Sequence, residues 1–157
     1  MIYKSIFSSP LGYLELCSDG GEAITRAYFT SAPSAEYTQN TLTETAAKQL
    51  GEYFEGKRRS FDVPLSPEGT EFEKQVWMAC AQIPYGEART YKELAIAIGD
   101  DKAARKVGQA VDANPIVLFI PTHRVKGKAS LLAALGAEYA INEALYGAEV
   151  NYKKKQP

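Results

Sequence analysis

Apolar and polar residues alternate along the first thirty positions in the manner of antiparallel strands. The alternation covers residues 2–7 and 13–17, which are separated by the turn-forming sequence Ser-Pro-Leu-Gly. A third alternating stretch at 23–29 follows the turn signal Asp-Gly-Gly at 19–21. The pattern therefore predicts a three-stranded antiparallel sheet at the start of the chain.

Apolar spacing changes to three and four after the third strand, which predicts a helix. Thr43 is its expected N-cap and Gly56 its expected stop. A short extended stretch is expected at 61–65. The Ser-Pro-Glu-Gly sequence at 66–69 is polar and contains a proline and a glycine, so it is the best candidate for a linker. Another helix is expected after it, with Thr70 as N-cap.

The linker divides the chain into an N-terminal α/β domain at 1–65 and a mostly helical domain at 70–157. In the second domain, Thr90 is expected to cap a helix at 91–98, and a glycine-containing turn joins it to a helix at 102–111. Two short helices joined in this way are typical of a helix-turn-helix, although ordinary packing units share the pattern. The expected fold class is α+β: a three-stranded antiparallel sheet with a helix, then a helical domain containing a helix-turn-helix.

Composition and charge narrow the class of protein. The chain has 157 residues, of which 45% are hydrophobic and 24% are charged, so it is neither collagen-like, a coiled coil nor disordered. The net charge of −1 is unevenly distributed, because residues 1–70 carry a net charge of −3 and residues 85–130 a net charge of +3. The basic second part indicates a negatively charged partner there.

Cysteine, histidine and leader patterns exclude further classes. Cys17 and Cys80 do not make a disulfide framework and are expected to be buried as small hydrophobes. The first residues lack a signal-peptide pattern and no apolar run is long enough to span a bilayer, so a cytoplasmic location is expected. His123 is the single histidine of the chain, so most metal sites lack ligands and we expect no metal or cofactor.

Several motifs of the second half follow one another in a specific order and spacing. They are Val76-Trp77, Ile83-Pro84-Tyr85-Gly86, Thr90-Tyr91, Ala103-Ala104-Arg105-Lys106-Val107-Gly108-Gln109-Ala110, Asn114-Pro115-Ile116 and Pro121-Thr122-His123-Arg124-Val125. This order resembles the alkylguanine-DNA alkyltransferase family, the methylated-DNA-protein-cysteine methyltransferases. The first dozen residues also look like the beginning of that family's N-terminal domain. The resemblance implies double-stranded DNA as the partner, and we expect a monomer.

The resemblance implies a self-alkylation reaction, and one position departs from it. Family members flip a damaged guanine out of the duplex and move its O6 alkyl group irreversibly onto a cysteine in a Pro-Cys-His-Arg motif. This chain has Thr122 in place of that cysteine. Alkyl displacement needs a soft nucleophile that is ionised near neutral pH, and a threonine hydroxyl is not one. We therefore predict no self-alkylation at Thr122.

The resemblance also implies roles for other residues. His123 matches the histidine that takes the thiol proton, Glu149 the acid that orients it, and Asn114 the asparagine that braces the active-site loop. Tyr91 matches the tyrosine that helps to turn the nucleotide out, and Arg105 the arginine that fills the gap. The remaining expected DNA-binding residues are Ala103, Ala104, Lys106, Gly108 and Arg124. The small residues of this set are expected to let the helix approach a groove closely.

Other positions depart from the family pattern. Where the family has a Gly-Tyr-x-Gly-Gly stretch that lines the alkyl pocket, this chain has Ala-Leu-Gly-Ala-Glu at 134–138. Asp112 and Ala113 stand where basic residues are common, and Asn142 stands where a lysine is expected. Together these changes favour drift or repurposing of an inactive paralogue.

Three kinds of function follow from these residues. The first is a protein that recognises alkylated guanine without transfer and hands the lesion to other DNA repair proteins, as alkyltransferase-like proteins do. The second is an enzyme, either an active methyltransferase represented by a Cys-to-Thr form, natural or engineered, or a hydrolase that uses Thr122, His123 and Glu149. The third is a nonspecific helix-turn-helix DNA binder.

Overall fold

The chain forms two compact units. A computed structural model describes residues 1–126 and 137–155, except for the side chains of residues 137–139. The first unit holds a three-stranded antiparallel sheet with a helix, and the second is mostly helical, which confirms the predicted α+β class. The boundary between the first unit and the second falls within the proposed linker at 66–69. The units are Met1–Glu68 with Pro115–Phe119, and Gly69–Asn114 with Ile120–Pro157.

Three strands form the sheet in sequence order: β1 (Ile2–Ser9), β2 (Gly12–Asp19) and β3 (Arg26–Thr30). β3 begins later than the predicted 23–29, because the backbone N–H of Ile24 donates to the carbonyl of Pro64 instead of to β2. Ile24 then makes an isolated parallel bridge to Leu65. That bridge is also all that the structure shows of the extended stretch predicted at 61–65.

α1 (Thr41–Phe54) packs on this sheet and begins before the predicted cap. Its N-cap is Asn40, whose side chain accepts a hydrogen bond from the backbone N–H of Thr43 at 2.9 Å. The Thr43 side chain bonds back to Asn40 and completes a capping box. Thr43 is fully buried, and its hydroxyl also accepts a hydrogen bond from Ser5 at 2.9 Å. The helix was therefore predicted correctly and its cap was not.

Pro115–Phe119 runs beside β3 within the first unit. Ala27 donates to the carbonyl of Pro115 at 2.9 Å, and Val117 donates back to the carbonyl of Ala27 at 3.0 Å. Leu118 adopts a φ of 72°, which costs a non-glycine residue roughly 1–3 kcal/mol. Its side chain is 2% exposed, so burial offsets that cost. The segment leads directly into the motif that contains Thr122.

The second unit combines helices with a two-stranded parallel ladder. Its elements are α2 (Glu71–Ala81), β4 (Arg89–Thr90), α3 (Tyr91–Ala97), α4 (Ala104–Asp112), β5 (Val125–Lys126) and α5 (Ala137–Lys155). Thr70 caps α2 and Thr90 caps α3 with capping boxes, as predicted. Trp77 links α2 to α4, since its indole Nε1 donates to the carbonyl of Ala110 at 2.8 Å.

One predicted helix start in this unit is wrong. α4 begins at Ala104 instead of residue 102, and Ala103 before it has no side-chain acceptor with which to cap the helix. α5 continues to Lys155, close to the end of the chain. Lysines in the last turn favour this extension, because they complement the carbonyl end of the helix. Within the described ranges, every helix is too short or too polar to cross a membrane.

Candidate functional site

Thr122 is the first residue of a short 3₁₀ turn, Thr122–Arg124, and its side chain is almost buried. Asn114 Nδ2 donates to Oγ1 of Thr122 at 2.9 Å and to the carbonyl of Ile120 at 2.9 Å. One amide group therefore holds both the backbone before the turn and the side chain at its first position. This geometry suits the bracing role expected for Asn114.

His123 is buried against Glu149, with 2.5 Å between its Nε2 and the carboxylate Oε2. Burial lowers the pKa of His123, and the hydrogen bond and charge of Glu149 only partly oppose this effect. The imidazole is therefore neutral at pH 7. Because an ionised carboxylate only accepts hydrogen bonds, Nε2 carries the ring proton and Nδ1 is the acceptor. A neutral histidine oriented in this way is chemically suited to accept a proton.

Glu149 connects three segments of the second unit. Besides His123, its carboxylate accepts hydrogen bonds from Nε of Arg124 at 2.7 Å and from the backbone N–H of Gly86 at 2.9 Å. The side chain is 1% exposed, so these donors replace the water that burial removes. α5 is thereby tied to the 3₁₀ turn and to the loop that precedes β4.

Arg124 is not available for the DNA contact predicted for it. Its guanidinium pairs with Glu149, donates from Nη1 to the carbonyl of Ile83 at 2.8 Å, and lies 5.6 Å from the ring centroid of Tyr85. The residue is 6% exposed. Its charge therefore neutralises a buried carboxylate and positions the turn, and it does not face solvent where a phosphate could bind.

Tyr91 and Gly108 meet where α3 packs against α4. A Cβ atom at Gly108 would lie 2.9 Å from Cε2 of Tyr91, which is closer than such atoms approach one another. Gly108 and Ala103 are both buried, so they do not present a surface to a groove. The small size of Gly108 serves the packing of α3 against α4, and the burial of both residues corrects the prediction that they let α4 approach DNA. Ala104 is only half-buried.

The solvent-facing side of α4 carries polar side chains at helical spacing. Arg105 and Lys106 are exposed, and in the part of the chain that the structure describes neither forms an ion pair. Gln109 and Asp112 are also exposed on this helix. Gln109 belongs to the same motif as Arg105 but was not among the predicted site residues, although the helical period from Arg105 places it on the same side. We call these four residues the exposed face of α4.

The predicted site residues thus fall into two groups within the second unit. Asn114, Thr122, His123 and Glu149 form one hydrogen-bonded cluster together with Arg124. Tyr91, Arg105, Lys106 and Ala104 lie on α3 and α4. The stretch at 134–138 lies outside the described side chains. Within the described residues, no group of His, Cys, Asp and Glu side chains could hold a metal ion.

Comparison with known proteins covers both units. The model of the 6-O-methylguanine DNA methyltransferase ribonuclease-like domain matches residues 2–67, and that of the DNA binding domain matches residues 71–151. A methylated-DNA-protein-cysteine methyltransferase of Methanosarcina barkeri is 40% identical over 156 residues, which is 96% of this chain and 98% of the relative. The constitutive methylated-DNA-protein-cysteine methyltransferase of Bacillus subtilis is 37% identical to this chain. The match covers 99% of this chain and 100% of the relative.

Solved structures agree with the sequence comparison. The Mycobacterium tuberculosis O6-methylguanine methyltransferase has a TM-score of 0.86 at 35% identity and covers 97% of this chain and 94% of its own. The structure of that organism's protein in complex with DNA has a TM-score of 0.83 at 36% identity. The match covers 96% of this chain and 94% of the neighbour. The chain therefore belongs to the methylated-DNA-protein-cysteine methyltransferase family.

Proposed function

We propose that this protein binds duplex DNA and recognises O6-alkylguanine by nucleotide flipping without moving the alkyl group onto itself. The observation that carries the proposal is the side chain at position 122. The unreactive hydroxyl of Thr122 lies in the same cluster as Asn114, His123 and Glu149: Asn114 Nδ2 donates to it at 2.9 Å, and His123 Nε2 lies 2.5 Å from the Glu149 carboxylate. A polar cluster kept around a side chain that cannot react favours recognition without reaction.

The chemistry of Thr122 argues against transfer. A thiol with a pKa of about 8.5 loses its proton to a nearby base, whereas a threonine hydroxyl ionises far above the range that a histidine can reach. In the described part of the chain, no hydrogen bond joins Thr122 to His123; the hydroxyl accepts from Asn114 at 2.9 Å. A hydrolytic triad of Thr122, His123 and Glu149 therefore lacks its first proton transfer as well.

Duplex binding is assigned to α3 and α4. A helix-turn-helix places its second helix in a groove. The exposed face of α4 offers phosphates two cations, Arg105 and Lys106, that have no ion-pair partner among the described residues. Tyr91 is the candidate for turning the nucleotide out, and Arg105 for filling the gap that it leaves. The solved DNA complex of the Mycobacterium tuberculosis protein, which is 36% identical to this chain, supports DNA binding. Because transfer is absent, we further propose that a monomer marks the lesion for other repair proteins.

A binding titration with two duplexes tests the proposal. We expect an O6-methylguanine duplex to bind more tightly than its undamaged counterpart at each of two salt concentrations. Arg105→Ala should abolish most of this preference, because no side chain then replaces the extruded base in the stack. Lys106→Ala is the matched control: it should weaken both duplexes alike, since a phosphate contact carries no lesion information.

Equal affinity of the wild-type protein for the two duplexes would contradict the proposal. It would instead support the nonspecific binder, which is favoured by the two exposed cations on α4 that form no ion pair within the described part of the chain. The inactivated methyltransferase is the other candidate, favoured by the similarity to relatives named as methylated-DNA-protein-cysteine methyltransferases, and it is distinguished by the cysteine variant described in the Discussion.

A further inference from the structure

Asp112 ends α4 on the same side of the helix as Arg105. The two residues are seven apart, which is close to two full turns, so both project from one side about 10 Å apart along the axis. Both side chains are exposed. The exposed face of α4 therefore has a positive end at Arg105 and Lys106 and a negative end at Asp112.

Asp112 also lies beside the tyrosine assigned to nucleotide flipping. Gly108 precedes Asp112 by four residues, so the two are neighbours on the helix surface, and the Tyr91 ring packs directly on Gly108. The charge of Asp112 contributes to the raised pKa of Tyr91, after burial of the phenol. The carboxylate is therefore near the Tyr91 side chain.

No cation neutralises Asp112 in the part of the chain that the structure describes. It forms no hydrogen bond or ion pair there, and only partial burial raises its pKa. By contrast, Glu149, Glu87 and Glu15 all have cationic partners within 4.0 Å. The negative charge of Asp112 is consequently directed at whatever approaches the C-terminal end of α4.

We propose that Asp112 is an affinity-limiting residue of the DNA-binding surface: its carboxylate repels the phosphate backbone at the end of α4 where Tyr91 meets the duplex. This inference rests on the proposed docking of DNA on α4. Phosphates are present in every duplex, so the repulsion lowers the affinity for damaged and undamaged DNA equally. Lesion preference is then left to Tyr91 and Arg105.

Removal of the charge at constant shape tests the inference. Asp112→Asn should tighten binding of both the undamaged and the O6-methylguanine duplex by about three- to tenfold at low salt, the size expected for one charge pair a few ångströms apart in a wet interface. The gain should shrink as salt rises, because screening shortens the range of the repulsion. The ratio between the two duplexes should stay unchanged.

Two control variants isolate the position and the charge. Asp19→Asn makes the same change at an exposed residue of the first unit and should leave both affinities unchanged. Asp112→Glu retains the charge and should behave as the wild type. Thermal unfolding of all variants verifies that they are folded.

The outcomes separate this inference from the proposed function. Unchanged or weaker binding by Asp112→Asn overturns the inference, and so does an equal gain in Asp19→Asn, which would be an effect of net charge alone. If the wild-type protein shows no lesion preference, the proposed function fails, while the comparison of Asp112→Asn with wild type on the undamaged duplex still decides the role of Asp112.

Discussion

Asn114 donates to the side-chain acceptor at position 122 and to the carbonyl of Ile120, each at 2.9 Å. The hydrogen bond to the carbonyl of Ile120 does not depend on the side chain at position 122. A cysteine sulfur accepts hydrogen bonds more weakly than a hydroxyl, but it fits the same place. Thr122→Cys is therefore expected to leave the turn intact and to change only the nucleophile.

Incubation with benzylguanine followed by intact-mass analysis tests the chemistry at this position. We expect the mass of the wild-type protein to stay unchanged, because Thr122 provides no thiolate. We expect Thr122→Cys to stay unmodified as well, because the sequence at 134–138 departs from the glycine-rich stretch that lines the pocket in the family. A benzyl group on the wild-type protein would contradict the account of Thr122.

The two native cysteines make this experiment clear. Burial raises the pKa of the Cys17 thiol, and it raises the pKa of Cys80 to about 12, so neither provides a thiolate near neutral pH. Any added mass on Thr122→Cys can therefore be assigned to position 122 by peptide mapping. Alkylation of that variant would identify the chain as an inactivated form of an active methyltransferase.

Arg124 shows what residue-level reasoning from sequence could not supply. An arginine in a basic stretch looks the same in sequence whether it faces a phosphate or a buried carboxylate. Its partner, Glu149, lies 25 residues further on, so only the fold brings the two to 2.7 Å. The approach of His123 to Glu149 was expected only because of the family resemblance, since nothing in their spacing indicates it.

At the level of elements, N-cap and turn residues predicted α2 and α3 well because these signals are local. Thr70 and Thr90 each bond to a glutamate three residues later, and both pairs are visible in the sequence. The faces of α4 were harder to predict. Small residues allow a helix to lie close either to another helix or to DNA. At Gly108 the contact with Tyr91 shows that the close neighbour is another helix, α3.

Gly108→Ala tests this contact. The new methyl group would lie 2.9 Å from the Tyr91 ring, and overpacking of this kind costs about 1–3 kcal/mol, only partly offset by the better helix propensity of alanine. We expect a net loss of about 1 kcal/mol in the free energy of unfolding, measured by urea denaturation.

A second glycine provides the matched control for this change. Gly147 in α5 has nothing within 4 Å of an added Cβ, so Gly147→Ala should stabilise the protein by up to about 1 kcal/mol. If Gly108→Ala also stabilises the protein, α3 and α4 are not in close contact at this position.

For the molecule as a whole, composition and the alternation of apolar and polar residues identified the fold class, because both signals draw on many residues. The return of Pro115–Phe119 to the first unit was not predictable in the same way. That segment pairs with β3 through only a few backbone hydrogen bonds, and its apolar run does not distinguish a bridge from a buried loop.

The pH dependence of global stability should reflect His123, the single histidine of the chain. Burial lowers its pKa in the folded state, whereas the unfolded chain has the ordinary value near 6.5. As the pH falls below about 6.5, the unfolded state binds a proton that the folded state does not, so stability is lost towards acid, by at most about 1.4 kcal/mol per pH unit.

Urea midpoints at pH 7.5 and 5.5 measure this effect. We expect the wild-type midpoint to be lower at pH 5.5. His123→Gln removes the only imidazole and should reduce the difference between the two midpoints, even if it lowers both. A wild-type midpoint that is constant or higher at pH 5.5 would show that the pKa of His123 is not lowered by folding.

The bond from Trp77 to Ala110 provides an intrinsic optical probe. Trp77 is the sole tryptophan of the chain, is 3% exposed, and donates its indole hydrogen to a carbonyl in the last turn of α4. Movement of that turn changes the electric field around the indole ring. Fluorescence of the unlabelled protein can therefore follow, in real time, what happens to α4 when a duplex is added.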